Sequence, residues 1–246
     1  MKTLGILGLG AFGQFAVKHL ALHFNVVAYD PAPRAAAFAR QNGIAFGTLK
    51  EAAQADVVIL AVPIDKLKEA VRAIKPHLKK GAIVCDVASV KVRPAELLQK
   101  ELPESVNIVC THPLFGPQSG KNGIKGLKIA VCPIRGRGIA KIRKFLQAKL
   151  GLRVIMTTPA EHDREVAAVQ GLTHMIAKVL VAMEPLPKKM TTKSFDLMMD
   201  AIEMVRHDSM ELFLAIERDN PFSAKLRHKF FKKAEELRTF LEAQDR

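Results

Sequence analysis

At 246 residues the chain has room for one large domain or two smaller ones, and its 49% hydrophobic and 25% charged content is that of an ordinary globular protein. No apolar run reaches the roughly 18–20 residues a membrane span needs, and no basic, apolar and cleavage-site sequence opens the chain, so no secretory signal is expected. The net charge of +14 is accompanied by no nucleic-acid motif and is spread along the chain, so neither nucleic acid nor membrane is an expected partner; a positive field would instead draw in anionic cofactors and substrates.

Leu4 to Leu7 form a short apolar run that reads as a strand, followed at once by Gly8, Gly10 and Gly13 in the spacing G-x-G-x-x-G, then by the helical pattern Phe12, Ala16, Leu20. In this dinucleotide-binding fingerprint Gly8 makes the tight turn, Gly10 lets backbone approach a pyrophosphate, and Gly13 lets helix pack closely on strand. The N–H groups of the helix start, around Ala11 and Phe12, then face the phosphates. A second apolar run, 25–30, ends on Asp30, about 20 residues after Gly8, where an acid binds the ribose hydroxyls and repels a 2′-phosphate. NAD is therefore expected. NADP stays open because Arg34 stands close by, where it either meets a 2′-phosphate or is an exposed first-turn residue.

Further strand-like runs occur at 56–61, 82–86, 106–110, 128–132 and 152–157. Helical patterns lie between most of them, at 64–78, 94–101 and 139–150, the last stopped by Gly151. Such alternation predicts a parallel sheet covered by helices on both faces, with ligands at the carboxyl ends of the strands. Cys85, Cys110 and Cys132 fall in or at the ends of these runs without metal-ligand spacing, so no metal site is expected, and an odd number of thiols suits a reducing cytoplasm.

After residue 157 the pattern becomes helical. Thr158-Pro159-Ala160-Glu161 combines an N-cap Thr, a first-turn Pro and a Glu three residues after the cap. Helical stretches are predicted to about Met183, then at 193–217 and 221–244, where Leu226, Phe230, Phe231, Ala234, Leu237 and Leu241 form an apolar stripe that must pack on something. The expected domains are 1–157 and 158–246.

Three segments sit where strands end over the expected cofactor cleft: Leu60-Ala61-Val62-Pro63, Asp86-Val87-Ala88-Ser89-Val90-Lys91, and the stretch from Thr111 to Gly123. Ala61, Val62 and Pro63 would lie against the dinucleotide. His112, held in a rigid turn by Pro113, has an unperturbed pKa of about 6.5 that suits a base near neutral pH. It would take the hydroxyl proton of an alcohol as hydride leaves the carbinol carbon.

Together the glycine fingerprint, Asp86-Val-x-Ser89-Val-Lys91, His112-Pro-Leu-Phe-Gly-Pro, Glu161-His162-Asp163 and Gly171-Leu172-Thr173-His174 resemble the prephenate and arogenate dehydrogenases of tyrosine biosynthesis. The resemblance spans nearly the whole chain. It implies an α/β fold, with an N-terminal Rossmann-type parallel sheet domain followed by an all-helical dimerisation domain, a homodimer, and an active site between the domains. It implies NAD-dependent oxidative decarboxylation of prephenate, with His112 as base and Ser89 orienting it or the substrate. Gln118, Ser119, Lys121, Asn122 and His174 would line the substrate. The stretch Phe115 to Gly123 resembles the plant-type branch, but Asn122 stands where arogenate-preferring members tend to carry Asp. A neutral amide cannot compensate an ammonium ion, which favours prephenate and leaves arogenate as the alternative. The Arg that grips a substrate carboxylate in many bacterial members is missing in register; Arg206, three residues on, either replaces it or lies on the surface. Competing readings are a β-hydroxyacid-type dehydrogenase using Lys178, and a non-catalytic NAD sensor or nucleic-acid binder.

Overall fold

The computed structural model describes residues 1–245. They form two compact units, one from Met1 to Ala160 and a second beginning at Glu161. The division falls in the first turn of a helix, whereas the sequence pattern places it before Thr158.

The first unit is an eight-stranded sheet in the order β3-β2-β1-β4-β5-β6-β7-β8. In chain order these are β1 (Thr3–Leu7), β2 (Asn25–Tyr29), β3 (Ala45–Phe46), β4 (Val57–Leu60), β5 (Ile83–Asp86), β6 (Asn107–Pro113), β7 (Lys128–Arg135) and β8 (Arg153–Met156). Between them run α1 (Ala11–Leu20), α2 (Pro33–Gln41), α3 (Leu49–Ala53), α4 (Ile64–Ile74), α5 (Val92–Glu101) and α6 (Ile139–Ala148). The order reverses between β1 and β4, the switch point where ligands of open α/β sheets bind. Both faces of the central strands are buried, which is why they read as near-continuous apolar runs.

Two features depart from the expected alternation. β3 is only two residues long, too short for a periodic signal. More consequentially, β6 pairs antiparallel with β7, from Ile108↔Arg135 to Pro113↔Ile129. That pairing carries both strands beyond their expected ends, so His112 lies inside β6, opposite Ala130, and not in a turn after it. Only a partner strand could extend the run, because Thr-His-Pro carries no apolar signal of its own.

The second unit is helical: α7 (Pro159–Val166), α8 (Leu172–Ala182), α9 (Lys193–Glu203), α10 (Met210–Leu214) and α11 (Ser223–Gln244). Two π-helical turns, 167–171 and 215–219, interrupt the helical stretches and pack against each other. The stretch expected as one helix over 193–217 breaks after α9, and Ser209 caps α10 by accepting from Leu212 N–H at 3.2 Å. The helix Pro159–Ala182 is long and apolar enough to cross a membrane by length and composition, although charged residues interrupt its apolar run. It nevertheless buries His162, Asp163 and His174, each with polar partners inside this unit. Beyond Phe230, α11 is exposed throughout, including Phe231, Leu237, Phe240 and Leu241 of its apolar side.

Candidate dinucleotide and active site

The glycine turn is built by contacts that admit no side chain. Gly8 has φ +99°, and a Cβ there would stand 2.4 Å from the Ala61 carbonyl oxygen. A Cβ on Gly13 would stand 2.0 Å from the Gly8 carbonyl oxygen, so α1 rests directly on the turn. Gly10 differs: nothing lies within 4 Å of a Cβ built on it, and both it and Ala11 are exposed. No side chain caps α1 at Gly10 and its first turn holds no acid. These glycines leave an open helix N-terminus, the local chemistry an anionic pyrophosphate requires.

Asp30 follows β2 and reaches back to this turn. Its Oδ2 accepts from Leu9 N–H at 2.6 Å and its Oδ1 from Ala32 N–H at 2.8 Å. Each carboxylate oxygen keeps a further lone pair for a hydroxyl donor. Arg34 is exposed in the first turn of α2. Across the switch point, Ala61 N–H donates to Leu7 O at 2.8 Å, Val62 is half-buried, and Pro63 is the exposed N-cap of α4. The residues present therefore fit a dinucleotide.

At the ends of β5 and β6 the two charged residues of the Asp86–Lys91 segment form a buried pair. Lys91 is fully buried. Its Nζ donates to Asp86 Oδ2, also fully buried, and to the Thr111 carbonyl oxygen at 2.7 Å. Ala88 N–H donates to the same carboxylate oxygen at 3.0 Å, and Thr111 Oγ1 donates to the Asp86 carbonyl oxygen at 2.7 Å. The loop bearing half-buried Ser89 and the strand bearing buried His112 are thus tied together by one ammonium–carboxylate pair. The only sequence signal was the Asp-x-x-x-x-Lys spacing, and a lysine in a loop reads as exposed. Flanking this pair, burial and then the Asp86 charge push the Cys85 thiol up to about 12. Burial likewise raises Cys110. Neither is a nucleophile near neutral pH.

Gln118, Ser119, Lys121 and Asn122 lie in the exposed turns between β6 and β7. Ser119 Oγ accepts from Gly116 N–H at 2.9 Å and so shapes the turn. Gly120 seats this loop on α1, where a Cβ would meet the Phe15 ring at 2.5 Å. In the helical unit, His174 is buried with both ring nitrogens engaged, one with Gln170 O at 2.9 Å and the other with Asp208 Oδ2 at 3.0 Å. Arg206 holds Glu184 through both terminal nitrogens, at 2.8 and 2.5 Å, and Glu203 through Nε at 2.5 Å. Its guanidinium is thus paired with two carboxylates of its own unit.

Residues 15–156 match the family model described as prephenate dehydrogenase, nucleotide-binding domain, and residues 158–246 match prephenate dehydrogenase, dimerization domain. The chain belongs to the prephenate dehydrogenase family. Among curated relatives within or near this family, arogenate dehydrogenase 1, chloroplastic, of Arabidopsis thaliana is 29% identical over 97% of the chain and 39% of its own length. A probable arogenate/prephenate dehydrogenase of Methanocaldococcus jannaschii is 27% identical over 84% of the chain and 49% of its own length. The chain thus spans less than half of each of these two relatives. Among solved structures, the prephenate dehydrogenase of A. aeolicus in complex with hydroxyphenyl propionate and NAD+ superposes with a TM-score of 0.78 at 22% identity, over 99% of this chain and 92% of that one. The arogenate dehydrogenase of Synechocystis gives a TM-score of 0.70 at 21% identity, over 99% and 93%. These structures share the prephenate dehydrogenase fold.

Proposed function

We propose that this chain catalyses the NAD-dependent oxidative decarboxylation of prephenate to 4-hydroxyphenylpyruvate and carbon dioxide. The observation that carries the reading is the buried His112 on β6, locked through Thr111 to the Lys91–Asp86 pair at the end of β5. The backbone that carries His112 is thereby fixed, and a positioned base is what general-base catalysis requires. Bound NAD supplies the hydride acceptor. The open turn at Gly10 and the start of α1, at Ala11 and Phe12, hold its pyrophosphate, Asp30 its adenosine ribose, and Ala61, Val62 and Pro63 border its other half.

His112 takes the proton from the ring hydroxyl as hydride leaves the same carbon, forming a carbonyl. Ser89 orients the hydroxyl or the imidazole. The ring carboxylate then departs as carbon dioxide, its bonding pair enters the ring, and the resulting phenolate oxygen takes up a proton. Aromatisation makes the step strongly downhill, so these residues mainly align the two transfers. Gln118, Ser119, Lys121 and Asn122 face the substrate from the β6–β7 loop.

A second reading, arogenate as substrate, is favoured by the two Arabidopsis relatives, both arogenate dehydrogenases at 29% identity. Asn122 favours prephenate, because an amide leaves arogenate's ammonium uncompensated. NADH formation from NAD with each substrate at matched concentrations decides: higher turnover with prephenate is expected, and preference for arogenate overturns the Asn122 argument while keeping the reaction class. Silence with both, in protein that binds NAD, refutes the reading. The helical unit is proposed to form a homodimer through its exposed apolar residues, among them Val179, Leu197 and Phe240. A monomer mass in sedimentation equilibrium would exclude it.

A further inference from the structure

The first unit contains a cavity of about 440 Å³ that the dinucleotide reading leaves unused. Its floor is the face of β4 and β5 carrying Val57, Ile59, Ile83 and Cys85, which alternate along their strands and so share one side of the sheet. Its walls are α1, through Phe15, Ala16 and His19, and α6, through Ile142, Phe145 and Leu146. The topology explains why the space exists. On this face α1 packs on β1 and α6 on β8, while β4, β5, β6 and β7 stand between them in the sheet order. Phe24, just after α1, meets Phe145 of α6 at 5.0 Å between centroids, and Phe15 of α1 meets Phe115 of the β6–β7 loop at 6.3 Å.

The lysines at the rim supply its positive charge, while burial lowers the His19 imidazole and leaves it a neutral hydrogen-bonding group. Lys2, His19, His23, Lys141 and Lys149 line the cavity, and no Asp or Glu does. The first four gather at the end away from the glycine turn. Lys2 precedes β1, the two histidines follow in the last part of α1 and just beyond it, and α6 begins where antiparallel β7 has returned to the amino ends of the parallel strands. Asp56, near this rim, takes its hydrogen bonds from Thr3, pairs with Lys79 and is also held ionised by the Lys2 charge. Of the residues assigned to the dinucleotide Phe12 lines the cavity, and Val87, Thr111, Pro113 and Phe115, from the strand-end segments beside the candidate active site, line the end opposite the rim.

We propose that this cavity binds an unbranched fatty carboxylate, its chain lying along β4 and β5 and its carboxylate at the rim of Lys2, His19, His23 and Lys141. The volume is in the range of small-molecule sites, about 300–1,000 Å³. A floor of four-residue strands is roughly 13 Å long at ~3.3 Å per residue, which suits an extended chain better than a single ring. The rim attracts an anion and repels a cation of equal apolar length.

Calorimetric titration of the full chain with decanoate and with decyltrimethylammonium tests this without reference to turnover. Saturable one-to-one binding of decanoate is expected, at least about tenfold tighter than the ammonium ion, a difference of about 1.4 kcal/mol. Ala16→Trp, which fills the cavity from the α1 wall, should weaken decanoate at least about tenfold and leave NAD binding unchanged. The pair Lys2→Glu and Lys141→Glu, conservative for folding because both are at the rim, should reverse the preference between the two ions. No decanoate binding, equal affinity for both ions, retention in Ala16→Trp, or displacement by NAD would each overturn the proposal.

Discussion

Replacing Lys91 by Met separates the contribution of its charge from that of its length. The substitution keeps the apolar stem but removes the ammonium that serves Asp86 Oδ2 and the Thr111 carbonyl. Asp86 would then be a fully buried carboxylate whose Oδ2 retains Ala88 N–H alone of these two donors. Removing one partner of a buried ion pair costs about 3–5 kcal/mol, because the other charge stays uncompensated. For a protein of this size each kcal/mol lowers the midpoint by about 2–4 °C, so a fall of roughly 6–20 °C is expected for the unit that contains it. Differential scanning calorimetry on Lys91→Met, Asp86→Asn and the double variant gives the coupling directly. The double variant should recover much of the loss, since two neutral groups no longer leave a bare charge. If Lys91→Met costs under about 1 kcal/mol, or the double variant is merely the sum of the singles, the pair is not the lock described here. At a temperature where Lys91→Met is folded, kcat should fall more than KM rises, because the residue holds the base and not the substrate.

Three further outcomes follow from the site. His112→Asn should lose about a hundredfold to ten-thousandfold in turnover with NAD binding intact, and a loss under tenfold in a steady-state assay removes His112 as the base. Asp30→Ser should weaken NAD far more than NADP in a fluorescence titration; equal effects would place Asp30 away from the ribose. Because the Cys85 thiol lies at about 12, only about one in ten thousand is ionised at pH 8. Iodoacetamide should therefore leave Cys85 and Cys110 unlabelled in the folded protein and label both in denaturant. Rapid labelling of Cys85 under native conditions would show that the strand end is open to water and ionised.

Local chemistry was readable without a structure. The glycine spacing, the acid closing β2 and the β–α alternation each depend on residues a few positions apart, and steric and capping rules act over that range. The expected ends of β1, β2, β4 and β5 therefore lie within a residue or so of those observed. What depended on partners distant in sequence was not readable. β6 reaches His112 only because β7 pairs with it in the opposite sense. Lys91 is buried only because β6 brings the Thr111 carbonyl beside Asp86. Arg206 is paired with Glu184, 22 positions away, because the chain turns between α8 and α9. The cavity between α1 and α6 likewise arises from strand order, since each helix taken alone presents an ordinary apolar face. Sequence by itself determined the elements and the residue types able to do the chemistry. Tertiary structure decided which of them are buried, paired and oriented, because burial and charge pairing are properties of neighbours in space, and only the folded sheet brings those neighbours together.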